Sequence, residues 1–309
     1  MLKQYVTISA LLREYRQTAG LTQAALAERL NLSLRHYRRL EDSAAPERAR
    51  IKPGLLSDLA AATGIPYLVW LNVAGENPIW YDCHTGHYAF SDVERDMLDL
   101  TFLRQYLRDG QARPPDPSLR LISLHAIPWS EDLLATMLAH DPAFQPHIGR
   151  LPRECLRRAA ALCPELNVLI RQHDGYAGHC VILPVTAAFA RQLCEGERAF
   201  TALTMADLIS GRTDLPQASL LLSTIFMAHP QIIGRFFAHI YPFLMQQAWS
   251  PAAQFIIPTL TGDDVTICEQ LGLQRQPAAL TPADLVGTNG HAGLHAIRLA
   301  AFLAEFAAA

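Results

Sequence analysis

The sequence is short of charge and has no long apolar segment. Asp, Glu, Lys and Arg make up 18% of the 309 residues and apolar residues 50%, which is ordinary for a globular protein with a sizeable core. No apolar run reaches the roughly 18–20 residues of a transmembrane helix, and residues 1–10 lack the apolar region of a secretory signal. We therefore expect a cytoplasmic protein without a membrane partner.

Cysteine pairs at metal-binding spacing are also missing. The six cysteines, at positions 83, 155, 163, 180, 194 and 268, form no C-x-x-C pair. Cys83, His84 and His87 form a C-H-x-x-H cluster, but a zinc site takes four ligands and only Asp82 is a nearby fourth candidate. The neighbouring His and Cys at 179–180 would point to opposite faces of a strand. We predict reduced thiols, no metal and no catalytic dyad.

Charge is unevenly distributed along the chain. Residues 1–75 contain ten Lys and Arg against six Asp and Glu, a net charge of +4. Because the whole chain carries −3, residues 76–309 carry −7. A basic domain joined to a larger acidic one is typical of a nucleic-acid reader with a second module.

Residues 7–71 have the apolar spacing of a bundle of short helices. Ile8, Leu11 and Leu12 recur with helical spacing, and Gly20 is placed to end this first helix. Further helices are predicted over residues 22–30, 34–42, 54–64 and 67–71.

The second and third predicted helices have the parts of a helix-turn-helix. Thr22 and Ser33 are suited to cap their N-termini. Ala25 supplies a small residue for close helix packing, and Asn31 can adopt the positive φ of a tight turn. The third helix then presents its polar face to the major groove of DNA.

This stretch resembles the XRE (Cro-repressor-like) helix-turn-helix family. The matching pattern is Leu21-Thr22-Gln23, Leu26-Ala27-Glu28, Leu30, Ser33 and Leu40-Glu41. The resemblance extends over about 65 residues, because spacing and residue type also match in the helix at 54–64. The usual turn glycine is replaced by Asn31, and the glycine after the third helix by Ser43.

The resemblance implies which residues contact operator DNA. Gln23 would set the register on a phosphate, whereas Leu34, Arg35 and Arg39 would read bases. The remaining cations would hold phosphates without reading sequence. The complete predicted set is Thr22, Gln23, Ser33, Leu34, Arg35, His36, Arg38, Arg39, Arg48, Arg50 and Lys52. Such readers bind two half-sites, so a homodimer is expected.

Three regions are predicted: a helix-turn-helix domain over 1–74, a connector over 75–117 and an α/β domain over 118–309. The connector is expected to be irregular over 72–90, to contain a helix over 93–108 and to end at Pro114, Pro115 and Pro117. In the last region, strands are predicted over 119–127, 166–172, 177–185, 219–227 and 253–260, with weak strands around 274–280 and 292–299 before an Ala-rich end. Helices are predicted near 130–140, 152–163, 187–195, 204–210, 229–248 and 262–272. This alternation of strands and helices indicates a mixed sheet. The fold class is therefore an all-α N-terminal domain followed by an α/β domain.

The order of elements after residue 118 resembles the GNAT (N-acetyltransferase) fold. Gln231 and Gly234 stand where that family has its cofactor segment, whose backbone N–H groups meet the pyrophosphate of acetyl-CoA. The resemblance implies a tentative cofactor site at Gln231, Ile232, Ile233, Gly234 and Arg235. The ligand that this resemblance implies is acetyl-CoA or an acyl-CoA-like molecule.

Three features of this region speak against catalysis. Phe236 replaces a small residue of the cofactor segment and is expected to obstruct the phosphates, and Cys268 replaces the family's Tyr proton donor. Strand 219–227 offers no carboxylate as a general base. We expect no catalytic residues and a domain for ligand sensing or oligomerisation. The alternatives are an active N-acetyltransferase with a DNA-targeting domain and a module regulated by a protein effector.

Overall fold

The computed structural model describes most of the chain. The described residues are 2–42, 54–74, 78–86, 88–90, 118–128, 152–173, 175–228, 230–259, 262–277 and 292–307. Contacts between Cα atoms divide the chain into two compact units. The first contains Met1–Arg95, Pro117–Arg120 and Arg171–Ala177, and the second contains Asp96–Asp116, Leu121–Ile170 and Gly178–Ala309.

Short helices make up most of the described part of the first unit. They are α1 (Ile8–Thr18), α2 (Gln23–Arg29), α3 (Leu34–Glu41), α4 (Leu55–Thr63) and α5 (Tyr67–Ala74). Helix α1 begins after Thr7, whose hydroxyl accepts from the Ala10 amide, as expected for a capping threonine. Helix α5 is buried on every side from Leu68 to Ala74 and forms the centre of the unit's core with Trp70, which is fully enclosed.

A small antiparallel sheet completes the first unit. Strands β1 (Lys3–Tyr5), β2 (Ile79–Tyr81) and β3 (Tyr88–Phe90) lie in the order β1-β2-β3. The predicted helices of the helix-turn-helix region are confirmed, whereas β1 contradicts an all-α domain over 1–74 and β2 and β3 contradict an irregular stretch over 72–90. Strands of three residues are too short to show alternation in the sequence, and β1 forms only by pairing with a distant segment.

A seven-stranded sheet lies in the predicted α/β region, residues 118–309, which is called the second region below. Its strands are β4 (Leu119–Ser123), β5 (Val168–Gln172), β6 (Gly175–Val185), β7 (Ser219–Met227), β8 (Gln254–Thr259), β9 (Gln274–Gln276) and β10 (Gly293–Arg298). The helices are α6 (Arg153–Leu162), α7 (Ala187–Cys194), α8 (Pro230–Gln246), α9 (Gly262–Gln270) and α10 (Leu299–Ala307). This sequence of strands and helices confirms the predicted mixed α/β domain.

The sheet is mixed, with one parallel pair next to its centre. The strand order is β4-β5-β6-β7-β8-β10-β9. Strands β6 and β7 are antiparallel, and their register shifts between Val181 and Ile182. The partners of these two residues are Thr224 and Leu222, so Ser223 is an extra residue that forms a bulge in β7. Strands β7 and β8 are parallel and pair only at Leu220–Phe255 and Leu221–Ile256.

A buried asparagine fixes helix α6 to the sheet. The Nδ2 of Asn167 donates to the carbonyl of Cys163 at 2.9 Å and to that of Ile182 at 3.0 Å, and its Oδ1 accepts from the Ile182 amide at 3.1 Å. The side chain has no solvent exposure. Because every bond replaces one with water, Asn167 can occupy a dry core without a large desolvation cost.

The structure differs from the predicted elements at two places, and two predicted helices remain untested. The helix expected near 204–210 is a single 3-10 turn, Met205–Asp207. The Ala-rich end, for which no helix was predicted, forms α10. The helices expected over 93–108 and near 130–140 lie outside the described residues.

Close approach of β6 and β7 generates a prediction at Gly178. A Cβ atom there would overlap the carbonyl oxygen of Phe226, whereas one at Gly211 would meet nothing closer than the Thr213 hydroxyl at 3.6 Å. We expect Gly178→Ala to lower the free energy of unfolding by about 1–3 kcal/mol, because the strands must move apart. Gly211→Ala is the matched control and should stay near the wild type.

Hydrogen exchange measured by mass spectrometry on peptides from β6 and β7 checks this expectation. Equal protection in the two variants would contradict it.

Candidate nucleic-acid interface

A tight turn joins helices α2 and α3, and the N-terminus of each helix is capped by the residue that the sequence predicts. The Thr22 hydroxyl accepts from the Ala25 amide at 3.1 Å, and the Ser33 hydroxyl accepts from the His36 amide at 3.2 Å. Asn31 adopts a φ of 51°, which confirms its predicted role, because asparagine tolerates the left-handed region better than most residues. These caps fix where each helix begins.

The inner faces of the two helices are packed into the core of the first unit. Leu26, Leu30 and Tyr37 are buried. Ala27 is buried, whereas Ala25 is half-buried. The helical phase thus turns position 27 towards the core, and the role of Ala25 as the small residue of the helix contact stays a prediction.

The outer face of α3 is cationic. Arg35, Arg38 and Arg39 are exposed, and Leu34 and His36 beside them are half-buried. Within the described ranges, no carboxylate forms an ion pair with any of the three guanidinium groups. Residues three and four apart on a helix are neighbours, so their charges repel one another until an anion binds. This face is thus suited to a polyanion.

A buried ion pair lies beneath this cationic face. The Glu41 side chain, 1% exposed, accepts from Arg16 Nε through Oε1 at 2.7 Å. Its other oxygen, Oε2, accepts from Gln23 Nε2. The bond to Glu41 raises the pKa of Arg16, because the carboxylate favours the charged guanidinium. The pair connects α1 with the end of α3, and Gln23 connects it with the start of α2.

A further contact strengthens this junction, and the buried Tyr37 beside it stays uncharged. Arg13 donates to the backbone carbonyl of Glu41 at 2.8 Å, where the last turn of α3 has no intrahelical partner for its carbonyls. Burial raises the pKa of Tyr37 to about 12, because the phenolate would be desolvated. Tyr37 therefore stays neutral beside the ion pair at physiological pH.

The described residues among the predicted DNA contacts belong to α2 and α3. Thr22 caps α2 and Gln23 begins it, whereas Ser33 caps α3 and Leu34, Arg35, His36, Arg38 and Arg39 lie within it. Gln23, expected on a phosphate, is instead bonded to Glu41 and to Arg38, whose Nε donates to Gln23 Oε1 at 3.3 Å. Arg48, Arg50, Lys52 and Ser43 lie outside the described residues.

The sequence did not reveal that Glu41 and Arg16 form the buried ion pair beneath the site. Glu41 is part of the matched helix-turn-helix pattern, but the pattern assigns it no partner. A signal existed, since a carboxylate at the end of a helix with buried neighbours needs a cationic partner. The partner could not be identified, because Arg16 lies 25 positions away on another helix.

The residues predicted to bind a cofactor, 231–235, occupy the first turns of α8. The side chains of Ile232 and Ile233 and the residue Gly234 are buried, and Arg235 is half-buried; the side chain of Gln231 is outside the described set. Phe236 lies in the second turn with its ring buried and 5.7 Å from that of Phe237. Phe236 thus belongs to the core.

The thiols considered for chemistry belong to the core. Cys180 is completely enclosed, which confirms its interpretation as a core residue, and burial raises its pKa. Cys268 on α9 is 1% exposed and burial raises its pKa to about 12.

Among the described residues, His, Cys, Asp and Glu form no cluster of three that could hold a metal. In the same residues, no helix has both the length and the hydropathy to span a bilayer.

Comparison with known protein families agrees with this geometry. Residues 7–66 match the family model described as a helix-turn-helix domain. The match spans α1 to α4 and includes the cationic face of α3. A search of curated proteins found no matching sequence. The helix-turn-helix domain supports the assignment of the chain as a DNA-binding regulator.

The buried ion pair generates a stability prediction. Arg16→Met would leave the Glu41 carboxylate buried without its cation, so we expect a loss on the order of 3 kcal/mol in the unfolding free energy of the first unit. Lys3→Met is the matched control, because it removes the exposed pair with Glu14, also made to α1, and water screens such a pair.

Hydrogen exchange of α1–α3 peptides resolves the stability of this unit from that of the rest of the chain. Equal effects of the two substitutions would contradict the structural role of Glu41.

Proposed function

We propose that the protein is a sequence-specific DNA-binding transcriptional regulator of the XRE type. The observation that carries this proposal is the exposure of Arg35, Arg38 and Arg39 on α3, whose opposite face is fixed by Tyr37 and Glu41. Three cations on a rigid helix can enter the major groove together without rearrangement of the backbone. The net charge of +4 over residues 1–75 adds long-range attraction to phosphate.

The proposed contacts divide into base readers and phosphate holders. Arg35 and Arg39 have the planar donors that match O6 and N7 of guanine, and Leu34 can contact a thymine methyl group. The hydroxyls of Thr22 and Ser33 accept from backbone amides and keep their own hydrogen for a phosphate oxygen. Further phosphate contacts are proposed for His36, Arg38, Arg48, Arg50 and Lys52, and Gln23 acts on this set through its bond to Arg38.

Binding as a homodimer belongs to the same proposal. A single helix-turn-helix reads only a few base pairs, so specificity in a genome requires two half-sites. The predicted regions 75–117 and 118–309 would provide the dimer contacts or respond to an effector, either a small molecule or a protein.

For the second region we propose a GNAT-like fold that binds an acyl-CoA-like ligand without catalysis. Strand order β4-β5-β6-β7-β8-β10-β9, with one parallel pair and a bulge in β7, supports the resemblance. Helix α8 begins directly after β7, and the amides of its first turn have no intrahelical acceptor. Cys268 is buried with a raised pKa, which makes it a poor participant in proton transfer near neutral pH.

Selection of binding sites from a random pool of DNA duplexes tests the regulator proposal. We expect the wild type to enrich one sequence, and Arg35→Ala or Arg39→Ala to relax the preference at one position each, with about 1–3 kcal/mol less discrimination there. Arg29→Ala, an exposed cation at the end of α2, is the matched control. Unchanged preference in both α3 variants would contradict the assigned reader residues.

Calorimetry with acetyl-CoA tests the ligand proposal. We expect measurable binding to the full chain and no acetyl transfer to amines, because no general base faces the site in the described residues of β7. An Arg235→Ala variant should bind more weakly if that half-buried cation helps to hold the phosphates. Absence of binding would leave oligomerisation or a protein effector as the role of this region, and turnover would favour the active transferase.

A further inference from the structure

The side chain of Gln23 is held at both ends in the free protein. Its Nε2 donates to the buried Glu41 carboxylate, and its Oε1 accepts from Arg38 Nε at 3.3 Å. A carboxylate only accepts hydrogen bonds, so the amide nitrogen must face Glu41. The amide oxygen is thereby left towards Arg38, and the orientation of the amide is fixed by chemistry.

The position of Glu41 is itself fixed. Arg16 Nε occupies the oxygen that Gln23 does not use, at 2.7 Å, and Arg13 holds the Glu41 backbone carbonyl at 2.8 Å. Three elements, α1, α2 and α3, therefore meet at one immobile carboxylate. Gln23 extends from this anchor to the exposed face of the site.

Arg38 is the far end of this chain of bonds. Its Nε is engaged with Gln23, while the side chain remains exposed, so its terminal NH₂ groups stay available to an anion. An arginine that is already ordered loses less conformational entropy when it binds. The bond also holds Arg38 on a helix face where Arg35 is its close neighbour and repels it.

We propose that Gln23 is a positioning residue, which transmits the fixed location of Glu41 to Arg38 and orients this guanidinium for a backbone phosphate. This inference rests on the proposed DNA-binding function and replaces the sequence expectation that Gln23 itself sets the register on a phosphate. One phosphate contact then depends on four residues, Arg16, Glu41, Gln23 and Arg38, of which only the last carries charge to the DNA.

A double-mutant cycle on the full chain tests the proposal, with the DNA duplex enriched by selection as the probe. The measured quantities are the affinity and the slope of log K against log salt concentration. Arg38→Met should lower the magnitude of the slope by about 0.9, the value of one phosphate contact. Gln23→Met changes no charge, yet it should also reduce the slope and weaken binding by about 2-fold to 10-fold.

The combination of the two substitutions separates positioning from direct contact. In the Arg38→Met background, Gln23→Met should have no further effect. In the Arg39→Met background, which removes a cation outside this network, its effect should be undiminished. A full additional loss in the Arg38→Met background, with an unchanged slope for Gln23→Met alone, would overturn the inference in favour of a direct phosphate contact by Gln23.

A second variant tests the same point at an exposed position where folding is not at risk. Arg38→Lys keeps the positive charge but lacks the Nε–H group that bonds to Gln23. We expect weaker binding than the wild type and no effect of Gln23→Met in this background. Wild-type affinity of Arg38→Lys would overturn only the inference about Gln23 and leave the proposed function standing. Absence of any DNA binding by the wild type would defeat the proposed function itself.

Discussion

The Glu41 carboxylate lies where helices α1, α2 and α3 meet, and it is almost completely removed from water. A charge in that position is tolerated only because Arg16 neutralises it and Gln23 bonds to the remaining oxygen. Removal of Arg16 would leave the buried charge without its cation, and removal of Gln23 would leave one buried oxygen without its donor, so the three helices can assemble in few other ways. The relative placement of α2 and α3, and with it the cationic surface, depends on this junction.

Helix α3 performs two tasks through its two faces. Tyr37 and Glu41 bind it to the core, and Arg35, Arg38 and Arg39 remain in water. The buried face provides the rigidity that a bidentate base contact requires, because a mobile helix would lose entropy on binding. The exposed face keeps like charges close together, a modest cost in the free protein that phosphate would offset.

The seven-stranded sheet is stabilised by other interactions than a buried ion pair. Its strands are secured by apolar burial on both faces and by the buried Asn167, whose side chain bonds to Cys163 and to both backbone groups of Ile182. The bulge at Ser223 and the short parallel pairing of β7 with β8 interrupt this regularity at one place. Interruptions of this kind re-aim backbone groups, which is why the ligand proposal is centred on β7 and the start of α8.

The sequence by itself determined the local features: the caps at Thr22 and Ser33, the turn at Asn31 and the strands and helices of the second region, because each depends on neighbouring residues and on apolar spacing. Only the tertiary structure decided that Ala27 is buried while Ala25 stays half-buried, that β1 pairs with β2, and that Glu41 joins Arg16 and Gln23. Those outcomes arise from contacts between segments far apart in the chain, whose partners no local pattern specifies.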